Sequence, residues 1–389
     1  MKILTCLFLL LAPCCIAQTF TFNQGGPASS AYYEEIPYEN INGKLFVEGE
    51  IAGKKHRFLF DTGAPVAISK ELAAELNARV LKKILMADAF SHTDSTTIVE
   101  INDLKLGNLL FNHIPATTKW PDFFKCYNID GVIGSNLLRN SIISIVPSKR
   151  LIIITDQKDR LSLKSKNSAP LISNIGTLSL PFISVVLKGK RNVTISIEFD
   201  TGDETFLRGE DRLMGMIKPY AVFDTLAKGY GADRIGEAGL QDAADKYLFK
   251  IAPIFIGNGS FINLVTESNK NAQPAIGSRL LDYGIVTLDF IHGKFYFDAD
   301  LPVNDLAEKQ WPFRPAIVGN KLIVGVIFQK APDALKQGDQ IIAIDNIDYS
   351  QPTFCDLINS KKVVKAKETI VLTTRDTQGN IKKMTVKKE

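Results

Sequence analysis

The tripeptide Asp-Thr-Gly occurs twice, each time at the end of an apolar run. Asp61-Thr62-Gly63 follows Phe58-Leu59-Phe60, and Asp200-Thr201-Gly202 follows Ile197-Glu198-Phe199. An apolar run anchors a strand in a core and leaves the Asp at its end, at the edge of a cleft. Gly lets the backbone turn sharply and lets another segment come close. Thr offers a hydroxyl that can bond across to the opposite turn. Two carboxylates a few ångströms apart cannot both ionise cheaply. They share one proton, so one is an acid and the other a base at the same pH. A water held between them can lose a proton to one while it attacks a carbonyl that the other protonates. A lone Asp-Thr-Gly is ordinary turn chemistry, so the pair carries weight only if its surroundings repeat.

They do repeat. Asp130-Gly131-Val132-Ile133-Gly134-Ser135-Asn136-Leu137-Leu138 follows the first motif, and Pro274-Ala275-Ile276-Gly277-Ser278-Arg279-Leu280-Leu281 follows the second. Each Gly-Ser-x-Leu-Leu stretch leads into an apolar strand, a turn and another apolar strand, closing on Asp156 and on Asp298. Midway lie Leu104 to Phe111 and Ile254 to Phe261, each apolar around a Gly-Asn pair. The pattern predicts a duplicated all-β unit over residues 33–160 and 172–300. A period above ~100 residues indicates duplicated domains rather than a solenoid.

The strand ending in Asp-Thr-Gly-Ala, with Val132-Ile133-Gly134 and Ala275-Ile276-Gly277 downstream, resembles the pepsin/retropepsin clan of aspartic peptidases. That clan's dyad is the type case of the shared proton. The resemblance implies a bilobal, pepsin-like double β-barrel, with Asp61 and Asp200 as the catalytic dyad, one from each lobe. It implies that Gly63 and Gly202 make the turns and that Thr62 and Thr201 tie them together. It is closest to bacterial exported proteins that carry a trailing PDZ-like module.

The sequence departs from the clan at Asp203, with Glu204 after it, where Ala64 stands in the first repeat. A third carboxylate turned inward would disfavour ionisation of the dyad; the simpler expectation is that Asp203 turns outward and is solvated. The stretch from Leu85 to Val99, where a covering hairpin belongs, holds Phe90 and His92 but no Tyr; Tyr230 lies in the corresponding stretch of the second unit. No flap role is assigned to them.

The 389 residues allow two or three domains. The net charge of +4 gives no argument for nucleic acid. Its excess is concentrated near the C-terminus, from Lys361 to Lys388, and reads as a solvated basic face. Lys2, the apolar run from Ile3 to Ala12 and the small residues before Gln18 read as a secretory signal over residues 1–17. Pro13 fits poorly before a lipid-bearing Cys14. The run is too short to span a bilayer. The expectation is an exported protein, periplasmic, secreted or envelope-associated. Cys126 and Cys355 fall in different predicted domains and are expected as free buried thiols. His56, His92, His113 and His292 show no ligand spacing, so no metal or other cofactor is expected.

Residues 18–35 read as a mobile leader, and 157–171 as a linker. Ser69 to Leu81 reads as a helix capped by Ser69, with Leu72, Leu76 and Val80 on one face. Near residue 306 the pattern changes. The run from Ala331 to Asp345, small-Pro-x-Ala-Leu-x-x-Gly-Asp-x-Ile-x-x-Ile-Asp, is similar to the core of bacterial PDZ domains. That implies a small PDZ-like α+β domain over residues 306–389, with a chain terminus as its ligand. The whole is expected to be a mostly β aspartic endopeptidase acting on peptide or protein substrates. The alternative is a catalytically weak or inactive peptide-binding protein that uses the same cleft and the edge of the PDZ-like domain.

Overall fold

The computed structural model describes residues 20–88, 91–173, 178–236, 239–358 and 367–389. The signal segment 1–17, Phe90, Lys361, Lys362 and Lys365 lie outside the described residues. The chain is mostly β, and its strands are built around the two Asp motifs. Lys44–Ile51 turns through Ala52 and Gly53, both at positive φ, into Lys54–Asp61. That two-residue turn twists as the strands do. Phe182–Lys188 pairs in the same antiparallel way with Asn192–Asp200.

Each Asp strand then receives a parallel neighbour. Gly131–Gly134 lies beside Lys54–Asp61 with Gly134 opposite Asp61. Ala275–Gly277 lies beside Asn192–Asp200 with Gly277 opposite Asp200. Both glycines are required by close approach rather than by conformation. A Cβ on Gly134 would meet the Ala64 carbonyl at 2.4 Å, and one on Gly277 the Thr205 carbonyl at 2.2 Å.

A six-stranded antiparallel sheet joins the two regions in the order Tyr33–Ile41, Leu151–Thr155, Ile142–Val146, Gly284–Asp289, Lys294–Ala299 and Ser168–Ile172. At its centre Ser144 faces Thr287, whose hydroxyl donates to Ser144 Oγ at 2.9 Å. The apolar faces of these strands, Phe58, Phe60, Ile133, Ile143, Phe199, Ile276 and Leu288 among them, fill one continuous core.

Beyond Trp311 a second core forms around Phe313, Val324, Ile341, Leu357 and Leu372. Phe313–Val318 and Lys321–Phe328 make a hairpin, and the sheet continues through Gln340–Ile344, Thr369–Arg375 and Ile381–Lys387. This sheet does not stand apart. Gly229, Tyr230 and Gly231, at the end of Phe223–Gly231, pair with Phe328, Ile327 and Val326. Arg314 Nε also sits 2.9 Å from Glu267 Oε2.

Three expectations need correction. The leader is docked, not mobile: Phe22 is buried, and Gly26–Pro27 pairs with Asn112 and Phe111. The helix after Ser69 stops early. Ser69 Oγ caps it at Leu72, but the helix spans only Lys70–Glu75, because Asn77 turns left-handed at φ 45° and the chain enters the strand Val80–Ala87. Val80 is exposed there rather than facing the core. Finally, Cys126 and Cys355 form a disulfide, with Cα atoms 5.1 Å apart across a separation of 229 residues. The bond brings the helical residues 354–358 back to the segment Asp122–Tyr127, a proximity that spacing along the chain does not reveal.

Candidate active site

The strand ends deliver Asp61 and Asp200 to opposite sides of one cleft, and four hydrogen bonds lock the turns together. The Thr62 amide donates to Thr201 Oγ1 at 3.0 Å, and the Thr201 amide to Thr62 Oγ1 at 3.1 Å. Each hydroxyl then donates to the backbone behind the other Asp: Thr62 to the Phe199 carbonyl at 2.6 Å, Thr201 to the Phe60 carbonyl at 2.9 Å. Both threonines are fully buried. In low dielectric an unmade bond is costly, so the four are held together.

The glycines position the carboxyls. The Gly63 amide donates to Asp61 Oδ1 at 2.9 Å, and the Gly202 amide to Asp200 Oδ1 at 2.8 Å. A Cβ on Gly63 would lie 2.5 Å from the Asp200 carboxyl carbon, and one on Gly202 2.5 Å from that of Asp61. Each carboxyl therefore rests over the other's turn. Burial, then the neighbouring Asp200, pushes Asp61 from its ordinary 3.8 up to about 8, against Lys44 and the Gly63 amide. Lys44 crosses between the turns: its Nζ donates to the Gly202 carbonyl at 2.6 Å and lies 3.7 Å from Glu204.

The surroundings of the two aspartates differ. Two residues before Asp61 stands Leu59; two before Asp200 stands Glu198, on the same face of its strand as Asp200. Glu198 is buried, and its Oε1 has no hydrogen-bond partner. Burial, then Asp200, holds its carboxyl well above the ordinary range despite Arg208. After the turn, Ala64 gives way to Asp203; their carbonyls both accept from a serine amide, Ser135 at 3.0 Å and Ser278 at 2.7 Å. Ala67, opposite Val132, gives way to Arg208, opposite Ala275.

Asp203 does not turn outward, contrary to the simpler expectation. It is 7 % exposed and bonded to Arg208, Nη1 to Oδ2 at 2.8 Å. The same guanidinium reaches Asp200, with Nη2 3.0 Å from its Oδ2. Burial opposes ionisation of Asp203, but Arg208 and Arg234 outweigh it and hold its carboxyl below its usual value. The partner that makes burial tolerable is thus Arg208, eight residues beyond Asp200. Neither Arg208 nor Glu198 stands out in the sequence by type alone. The available signal was a charged residue inside the apolar run before the second Asp.

The cleft encloses about 810 Å³. Its walls include Met86 of the hairpin Val80–Ala87/Thr93–Ile101, Phe123 and Tyr127 from the disulfide-bearing segment, and Arg234 after Phe223–Gly231. Trp311, Phe313 and Leu357 of the C-terminal sheet and its helix line the same space. The disulfide joins two of these walls, since Cys126 lies in Asp122–Tyr127 and Cys355 in the helical residues 354–358. Ser91 and His92 reach across from the first hairpin: Ser91 Oγ donates to the Asn271 carbonyl at 3.0 Å, and His92 Nε2 lies 3.7 Å from Asp242. Tyr230 is about half exposed, on the strand that pairs with Ile327.

Residues 47–137, which include Asp61, match the model of a family described as aspartyl protease. The match supports a relationship to aspartic proteases at the level of that family. No curated protein matches the chain. Among solved structures, basic 7S globulin from soybean is similar over 69 % of this chain and 95 % of its own, at 11 % identity and a TM-score of 0.39. Conglutin gamma, a basic 7S globulin from lupine seeds, is similar over 70 % of this chain and 96 % of its own, at 10 % identity and the same TM-score of 0.39. Among the described residues no helix is long and apolar enough to cross a membrane.

Proposed function

We propose that the protein is an aspartic endopeptidase of two lobes, residues 33–160 and 172–300, followed by a PDZ-like domain at 306–389. Asp61 and Asp200 form its dyad, supported by Thr62, Gly63, Thr201 and Gly202. An extended peptide lies in the cleft with its scissile carbonyl over the pair. The ionised carboxyl takes a proton from water, whose oxygen bonds to the carbonyl carbon. The protonated carboxyl gives its proton to the carbonyl oxygen, leaving a gem-diol. As the C–N bond breaks, the first carboxyl returns its proton to the leaving nitrogen. The second recovers one from a gem-diol hydroxyl. No metal or other cofactor enters.

The observation that carries this reading is the crossed Thr62–Thr201 pair, which supports two matched turns facing each other with a raised Asp61 between them. Export, from the secretory-type start, is supported by the disulfide, since such bonds persist in oxidising compartments. The strand Phe313–Val318 pairs only with Lys321–Phe328 among the described residues, which leaves an edge where a chain terminus could add as a strand. The Arg208–Asp200 ion pair favours a second reading, a weakly catalytic or inactive peptide binder, because a paired carboxylate is a poorer base. Peptide-library digestion by the wild type, Asp61→Asn and Asp200→Asn separates the two. The enzyme reading requires cleavage that both variants lose; the binder reading requires none from any.

A further inference from the structure

We propose that Arg208 divides the labour of the dyad, fixing Asp200 as the carboxylate that takes the proton from water and leaving Asp61 as the protonated acid. This rests on the peptidase reading and assigns the two roles within it. The guanidinium cannot turn away. Its three nitrogens are each engaged: Nη2 with Asp200 at 3.0 Å, Nη1 with Asp203 at 2.8 Å, and Nε with the Gln273 carbonyl at 2.6 Å. Arginine does not deprotonate in proteins, so the positive charge beside Asp200 is permanent.

Asp61 has no equivalent. Ala67 stands at the register position that Arg208 takes in the other half. The cation that acts on Asp61, Lys44, is committed to the Gly202 carbonyl and to Glu204. Two carboxyls in equal surroundings share a proton equally. Here only Asp200 is bonded to a guanidinium, and the proton belongs on the side without the arginine. The charged and titratable groups facing the pair are Lys44 on the first region's strand, Glu198 on the Asp200 strand, Asp203 and Glu204 on the turn, Arg208 beyond it, and Arg234 after Phe223–Gly231. Burial, then Asp200, holds the Glu198 carboxyl well above its ordinary range.

Asp203 then has a purpose. A lone guanidinium beside Asp200 would place its whole charge against that one carboxylate. Asp203 takes part of that charge and fixes the guanidinium's plane, so Asp200 is pinned as the base without being disabled. The departure from a small residue at this position belongs with Arg208 as one device. Burial and the neighbouring Asp200 raise Asp61 to about 8.

The test uses the full-length protein with ¹³C-labelled aspartate carboxyls, assigned through Asp61→Asn and Asp200→Asn. At pH 6 the wild type should show Asp61 at the shift of a carboxylic acid and Asp200 at that of a carboxylate. In Arg208→Gln/Asp203→Asn, which removes the buried pair without leaving a lone charge, both signals should move to intermediate values. The acid limb of kcat/KM should rise by about one pH unit or more. Arg208→Lys, which keeps the charge, should keep the asymmetry. Equal intermediate shifts in the wild type would overturn the proposal, as would an asymmetry unchanged in the double variant or lost in Arg208→Lys. If the shifts are asymmetric but no peptide is cleaved, the proton assignment stands and the peptidase reading fails.

Discussion

The Thr62 amide donates to Thr201 Oγ1, and the Thr201 amide donates back to Thr62 Oγ1, at 3.0 and 3.1 Å. Each hydroxyl holds the carbonyl of the residue before the opposite Asp. Valine keeps the shape of threonine and loses the hydroxyl. Thr201→Val should strand the buried Thr62 amide and Phe60 carbonyl, costing about 1–3 kcal/mol. Thr62→Val should cost about the same. The double variant should cost less than the sum, because the bonds belong to one network. Urea denaturation of the three variants measures this; strict additivity would argue against a shared network.

A methyl group at Gly202 would sit 2.3 Å from Asp61 Oδ2. The carboxyl must move, and a shift of about 1 Å in a reacting group costs roughly 100-fold in rate. Gly202→Ala should therefore lower kcat by about that factor, with KM little changed. A variant with wild-type kcat would show that Asp61 need not rest on that turn.

Asp61 also links stability to pH. Its value rises from 3.8 to about 8 on folding. In this window the folded state keeps a proton that the unfolded chain has released. Stability from this group is whole below pH 3.8 and is lost as pH rises towards 8. An asparagine cannot ionise, so Asp61→Asn should unfold at a higher temperature than the wild type at pH 8, with little difference at pH 4. Glu198→Gln should show the same sign, since burial raises that carboxyl too. Melting curves at the two pH values decide; a Asp61→Asn advantage that is larger at pH 4 would contradict the assignment.

The disulfide Cys126–Cys355 ties the Asp122–Tyr127 wall of the cleft to the helix carrying Leu357. Cys126→Ser/Cys355→Ser should lose about 2–5 kcal/mol of stability. Reduction of the wild type should give the same loss, and reduction of the double variant none. Urea midpoints with and without reductant measure it. Equal midpoints for all four would mean the bond does not constrain the fold.

What could be read from the sequence was local and repeated. The apolar runs before each Asp, the glycines after them and the pairs Ile133-Gly134 and Ile276-Gly277 place strands, turns and their partners because each acts on its neighbours in the chain. Ser69 announced its helix for the same reason. The misses are contacts made across the chain. Phe22 finds its burial, Cys126 its partner and Asp203 its arginine only once distant strands have come together. Arg208 looks like any surface arginine until Gly131–Gly134 and Ala275–Gly277 are compared in register. Val80 fits a helical stripe starting at Ser69, but Asn77 turns left-handed first and ends the helix.

The central claim is that Asp61 and Asp200 together activate water against a peptide bond. Digestion of a peptide mixture in ¹⁸O-water, read by mass spectrometry, tests it directly. The wild type should place one ¹⁸O in each newly formed carboxyl. Asp61→Asn and Asp200→Asn should each lose at least about 10²–10⁴-fold in rate while remaining folded. Cleavage at the wild-type rate by either asparagine variant would contradict the account.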